Sequence, residues 1–271
     1  MLVVSDESED ETDALVQQIA TQDPRVHLIR QVPRQGKTSG LNLAIPKATG
    51  EIIIFSDANS HYQPDAISKL VECFTDPEVG YVTGKMVYVN DEGNVIGDGC
   101  SAYMKYENHL RSLESQVSSV VGVDGGIDAI RKSLYQPMNA DQLPDFVLPL
   151  KVVTQGKRVV YCEGALLNEE SLSNSQSEFR MRVRVSLRAY WAMWDMKHLF
   201  NPFEYGLFSL QIISHKLLRY LAFIPLFLVL VGNGLITGEG WFYQLTFITQ
   251  VVFYSLAAFV SLNDGTKNKW L

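Results

Sequence analysis

Cysteine is scarce. The three residues present, Cys73, Cys100 and Cys162, are odd in number and scattered, so they form no disulfide framework. No Cys/His group has zinc spacing, and a reducing compartment is expected. Positive charge is also short: 23 Lys and Arg stand against 30 Asp and Glu, a net charge of -7. That balance excludes a nucleic-acid binder, which needs a basic face to neutralise phosphates. Charged residues make up 20% of the chain and hydrophobic residues 46%, which excludes a disordered polymer. Over 271 residues this is core enough for one large α/β domain or two small ones. Met1 leads directly into Leu2-Val3-Val4 without a basic segment, an apolar stretch and a cleavage site, so no signal peptide is expected. A P-loop is excluded too. Gly36-Lys37-Thr38 imitates its end, but Gln31 stands where the first glycine belongs.

What is present is an alternation of short apolar strands and helical spacings. Leu2–Val4 reads as a strand, and Ala14, Leu15, Val16, Ile19 and Ala20 as one side of a helix capped by Asp10. Val26–Ile29 reads as a strand, Ser39–Ala48 as a helix interrupted by Pro46, and Ile52–Phe55 as an apolar strand ending at Ser56-Asp57-Ala58-Asn59. Pro64 opens a helix that buries Ile67, Leu70, Val71 and Phe74. Two strands follow near Gly80–Thr83 and Met86–Val89, then a turn over Asn90–Gly99 and a polar helix over Tyr103–Val117. A turn at Gly122–Gly126 precedes a helix reaching Leu134; Phe146–Gln155 reads as a helix and Arg158–Cys162 as a strand. Such alternation predicts a Rossmann-like α/β fold: a mostly parallel sheet with helices on both faces. Ligands then bind beyond the carboxyl ends of strands, where Asp6 and Asp57 stand.

The last sixty residues differ from the rest. Tyr220–Ile236 is interrupted only by Pro225, Gly232, Asn233 and Gly234, and Trp241–Leu262 carries no charge. Each approaches the ~20 residues that span a bilayer core, and the short Thr237–Gly240 link predicts a transmembrane hairpin. Lys216, Arg219, Lys267 and Lys269 flank it, so both ends are expected in the cytoplasm. Trp191, Trp194, Phe200, Phe203 and Tyr205 suit an interfacial belt. The expected division is a catalytic domain over 1–175, an interfacial helical region over 176–214 and two membrane helices over 215–271.

Six segments then carry a resemblance. They are Val3–Thr12, Gly36–Asn42, Phe55–Asn59, Gly125–Arg131, Asp145–Leu148 and Gly156–Tyr161. In this order, ahead of a membrane hairpin, they resemble inverting family 2 glycosyltransferases of the GT-A fold, of the membrane-anchored bacterial polysaccharide synthase type. The resemblance implies a GT-A domain lacking its first strand, so that the chain begins at the second. It implies a nucleotide-sugar donor, foremost a UDP-sugar, and a glycan or lipid-linked acceptor at the inner face of the plasma membrane. Membrane lipids and polysaccharide export subunits are the further partners it implies. It assigns Asp6 to the nucleotide base, Lys37 to the base and diphosphate, and Asp57 with Asn59 to the DxD position that holds Mg²⁺ or Mn²⁺. Asn59 stands where the family has its second carboxylate, so a cation would meet a neutral amide oxygen. Asp145 falls at the catalytic base, the group that takes a proton from the attacking hydroxyl. Asp124 and Gly125 fall beside the donor sugar, and Tyr106 and Glu107 on the helix that borders the acceptor. Arg180 and Arg184, four apart, fall where processive members carry a diphosphate-binding signature of which only one arginine is kept here. His109, His198 and His215 read as satisfied surface or interface histidines. Two other readings remain open: transfer to a lipid phosphate, and a non-catalytic scaffold of a polysaccharide complex.

Overall fold

A computed structural model describes residues 1–89, 99–170 and 175–266. The first unit is β1 (Leu2–Asp6), α1 (Thr12–Gln22) and β2 (His27–Gln31), the two strands pairing in parallel as a two-stranded sheet. Asp10 Oδ1 accepts the Thr12 amide at 3.0 Å, so the expected capping aspartate does bind an orphan donor at the start of α1. Next come α2 (Lys37–Ala44), β3 (Ile52–Ser56), β4 (His61–Tyr62), α3 (Ala66–Glu72), β5 (Val79–Val89) and α4 (Gly99–Val117). They are followed by β6 (Ile127–Arg131), α5 (Pro144–Thr154) and β7 (Arg158–Glu170).

The larger sheet corrects the expectation of mostly parallel pairing. Its order is β3-β6-β5-β7-β4, and only β5–β7 is parallel; β3–β6, β5–β6 and β4–β7 are antiparallel. The cause lies in β6, which the sequence suggested was a helix reaching Leu134. Ile127, Asp128, Ala129 and Ile130 are all buried, because β6 is interior and covered on both faces. A short run buried on both faces has no period that separates strand from helix. The two short strands expected at Gly80–Thr83 and Met86–Val89 are one strand with a register shift at Gly84, and the strand begun at Arg158 continues to Glu170.

Helices cover both faces, as expected. Leu70 and Phe74 from the α3 segment pack on Val82, Ile127, Ala129 and Leu167. On the other face, Tyr81, Ile130 and Val159 pack against Val147 and Leu150 of α5. Each fully buried Leu or Ile contributes about 1.5–3 kcal/mol.

The chain then runs through α6 (Ser175–Asp195), α7 (Pro202–Tyr205) and α8 (Leu207–Ile212). This segment joins the core through Ala189, Ala192, Met193, Leu199, Phe208 and Ile212. It leaves Trp191 and Trp194 each 67% exposed and Phe203 98% exposed. One π-helical turn (Ile213–Leu217) and α9 (Leu218–Tyr220) lead to α10 (Phe223–Leu235) and α11 (Trp241–Thr266). Of the two expected spans, one helix meets the test of length and apolarity over Trp241–Val260, with none of it buried by protein. α10 has 13 residues, about 20 Å, short of the ~30 Å bilayer core. It reaches that class only together with Leu207–Tyr220, from which it bends by 58°. Asn233 Nδ2 donates to Gln250 Oε1 at 2.8 Å, tying α10 to α11.

Candidate active site

Two distant segments must meet for a site to exist, and the Gly36–Asn42 motif brings them together. Thr38 Oγ1 donates to Gln142 O at 2.7 Å. Asn42 Nδ2 donates to Met138 O at 2.7 Å, while Asn42 Oδ1 accepts from Tyr135 Oη at 2.7 Å and from the Met138 amide at 3.1 Å. These bonds fasten α2 to the loop that leads into α5. They set Lys37, the first residue of α2, opposite Asp145 in the first turn of α5. Asp145 is not the cap of its helix; Leu143 holds that position without a side-chain bond, so the carboxylate is free to face the cleft.

Lys37 links the two expected carboxylates. Its Nζ lies 2.7 Å from Asp57 Oδ1 and 3.5 Å from Asp145 Oδ1, with all three side chains about 40% exposed. Desolvation disfavours the ammonium, but Asp145, Asp57 and Asp128 outweigh it and keep Lys37 protonated. Asp145 is lifted above the ordinary carboxylate range by desolvation, opposed by Lys37 and assisted by the Asp57 charge. A carboxylate with a raised pKa is a better proton acceptor.

Gly125 forms the wall beside Asp145. Its φ is +82°, a region few side chains tolerate, and a Cβ there would lie 2.6 Å from Asp145 Cγ. The glycine thus permits both the turn and the close approach of the carboxyl. Asp124 is buried: Arg111 Nη1 lies 2.6 Å from its Oδ1, and the Met86 amide donates to Oδ2 at 3.2 Å.

Asp6 is bound within its own turn. It accepts from Gln31 Nε2, from the Gln35 amide at 2.9 Å and from the Gly36 amide at 2.9 Å. Slight burial opposes these bonds, yet they hold its carboxyl below the usual range. Three of about four acceptor positions are therefore occupied by the loop that presents Lys37.

Glu107, expected beside the acceptor, is instead buried in ion pairs. Its Oε1 lies 3.1 Å from His215 Nε2 and its Oε2 3.3 Å from Arg219 Nη1, and it accepts from Tyr103 Oη at 3.1 Å. Burial works against the charge, but His215, Lys216 and Arg219 hold Glu107 at about 2. Glu114 meets the other face of His215, with 2.7 Å between Oε1 and Nδ1. Tyr106 is exposed on α4. Arg184 is exposed on α6; the Arg180 side chain lies outside the described residues.

Two acidic residues in this region escaped the sequence reading. Asp128, wholly buried at the centre of β6 between Phe55 and Thr83, has an Oδ1 without a hydrogen-bond partner and is pushed by burial up to about 7. Its signal was a carboxylate inside Ile127–Ile130, where a charge is costly. Glu169, near the end of β7, accepts from Asn59 Nδ2 at 3.2 Å. Its signal was a pair of acids, Glu169-Glu170, closing a strand.

Comparison with known proteins follows this geometry. Residues 1–135 match the family described as Glycosyl transferase family 2. A β-monoglucosyldiacylglycerol synthase of Synechocystis is 25% identical over 131 residues, 48% of this chain and 26% of that protein. An N-acetylglucosaminyltransferase of Bradyrhizobium elkanii is 30% identical over 91 residues, 33% of this chain and 50% of that protein. The chain thus aligns with half or less of either curated relative. A mannosyltransferase from Pyrobaculum calidifontis, solved in complex with GDP-Man and Mn²⁺, superposes over 99% of this chain and 77% of its own, with TM-score 0.57 and 22% identity. That likeness establishes the GT-A-like fold.

Proposed function

The chain belongs to glycosyl transferase family 2 through its N-terminal half, and from that premise we propose that it transfers a sugar from a nucleotide-sugar to an acceptor hydroxyl with inversion. The observation that carries the reading is the Lys37–Asp57–Asp145 cluster, assembled from residues up to 108 positions apart at the ends of β3 and the starts of α2 and α5. Asp145 accepts the proton of the acceptor hydroxyl as its oxygen bonds to the anomeric carbon. The bond from that carbon to the diphosphate oxygen breaks, and the nucleoside diphosphate departs with the electron pair. Lys37 offsets negative charge in the cleft.

A divalent cation fits this site. Asp57 and Asn59 offer hard oxygen donors suited to Mg²⁺ or Mn²⁺, and Asp57 already draws the Lys37 ammonium to 2.7 Å. Among the described residues no three His, Cys, Asp or Glu side chains form a metal group, so donor phosphates would complete the shell. When bound, the ion supplies charge neutralisation for the leaving diphosphate.

The donor we favour is UDP-linked, although the mannosyltransferase neighbour was solved with GDP-Man. The acceptor we favour is a growing cell-surface glycan. A lipid acceptor is the second reading, favoured by the lipid named in the synthase relative and by the unburied apolar α11. The chain is placed in the plasma membrane through α10 and α11, with the site on the cytoplasmic side.

The test is donor turnover by the full protein in membranes, with UDP- and GDP-sugars and Mg²⁺ or Mn²⁺, beside Asp145→Asn. Metal-dependent release of the nucleoside diphosphate that the substitution abolishes supports the reading. Nucleotide binding without turnover of any donor replaces it with the scaffold.

A further inference from the structure

Asn59 and Glu169 form a pair at the edge of the same cleft. Asn59 follows β3, and Glu169 lies near the end of β7. The short strand β4 holds them together, since His61 pairs with Asn168 and Tyr62 with Leu167. The hydrogen bond runs from Asn59 Nδ2 to Glu169 Oε1 at 3.2 Å. An ionised carboxylate accepts and cannot donate, so its presence forces the amide to turn NH₂ toward Glu169. The amide oxygen, the only atom of Asn59 able to bind a hard cation, then faces away from Glu169.

We infer that Glu169 is a positioning residue for the divalent cation: it fixes the Asn59 amide with its oxygen available and supplies the negative charge that position 59 lacks. The inference rests on the donor site proposed above. It also explains why an amide suits position 59. An aspartate there would set two carboxylates at hydrogen-bond distance, and one of them would take a proton or turn aside. Charge and amide are exchanged between two positions, not lost.

The experiment measures Mn²⁺ binding to the full-length protein in detergent by electron paramagnetic resonance, with UDP or GDP present. Glu169→Gln keeps an acceptor and loses the charge, and Mn²⁺ affinity should fall about tenfold; Glu169→Ala loses both and should fall further, toward a hundredfold. Asn59→Asp alone should not tighten binding. The exchange Asn59→Asp/Glu169→Gln restores one carboxylate and one amide, and should return affinity to within about threefold of wild type, a rescue that a purely structural role would not give. Thermal melting establishes that each variant is folded. Unchanged Mn²⁺ affinity in folded Glu169→Gln overturns the inference alone, as does an exchange variant no better than Glu169→Gln. A wild-type protein that binds nucleotide but no Mn²⁺ overturns the metal reading of the donor site and this inference with it.

Discussion

Two acidic clusters flank the Gly122–Gly126 turn, and they are built on opposite principles. In the cleft, one lysine serves two carboxylates, Asp57 and Asp145, and all three side chains are about 40% exposed. Behind the turn, Glu107, Glu114 and Asp124 are each matched by a basic partner among His215, Arg219 and Arg111. The carboxylates of that second cluster are only 5–10% exposed. Buried charges must be balanced within the protein because water cannot screen them. The cleft keeps its imbalance because it remains wet, and the imbalance is what a cationic ligand or a transferred proton can use. Unpaired charge marks chemistry here, and paired charge marks assembly.

The sharpest way to test that contrast is to neutralise one acid in each cluster. Asp145→Asn should lower kcat about a thousandfold with little change in melting temperature, because a general base contributes roughly 10²–10⁴ in rate. Glu107→Gln should do the reverse: a loss of about 3 kcal/mol in urea denaturation from stranding buried partner charges, with transfer falling only in proportion to folded protein. The sign with pH follows. Glu107 is held at about 2, below its unfolded range, so its contribution is complete above roughly pH 4.5 and is lost as pH falls toward 2. If Glu107→Gln stopped transfer in fully folded protein, the division into chemistry and assembly would be broken.

Asp128 belongs to neither cluster and sharpens the boundary between them. Its folded pKa is raised to about 7, so the folded state holds a proton that the unfolded state has released. Stability is highest below about pH 4 and declines as pH rises toward 7. Between pH 5 and pH 8 Asp128→Asn should gain about 3 kcal/mol on the wild type, read from the difference of their denaturation midpoints. A gap that does not change with pH would mean that Asp128 is charged throughout. The smallest effect is at the turn itself. Gly125→Ala should cost about 1–2 kcal/mol of stability for its positive φ and lower kcat by displacing Asp145. A change in stability with kcat intact would separate the turn from the base.

Much of this was legible in the sequence where local chemistry decides. Asp57 after an apolar strand, Asp145 at a helix start and the Gly125 turn all stand where residue types alone place them. The unbroken Ile127–Ile130 run was not legible, because burial on both faces erases periodicity, and with it went the antiparallel character of the sheet. Nor was the Glu107–His215 pair, whose members are 108 residues apart and meet only once the helices pack. The Thr38 and Asn42 side chains lay inside a quoted motif, yet their task of fastening α2 to the Met138–Gln142 loop became visible only with partners that no local rule connects to them.

The π-helical turn at Ile213–Leu217 carries a consequence for the spacing of the chain. It accommodates one more residue per turn than an α-helix would, and it holds both His215, between Glu107 and Glu114, and Lys216, whose Nζ packs against Gly122. Deleting one residue from the turn lets the helix close as α and rotates everything beyond it by about 100°. The hairpin would then present a different side to its surroundings, or His215 would leave its carboxylates. The number of residues between the domain and its apolar hairpin is therefore fixed as tightly as their identity, and insertions or deletions should be tolerated in the Thr237–Glu239 link but not here.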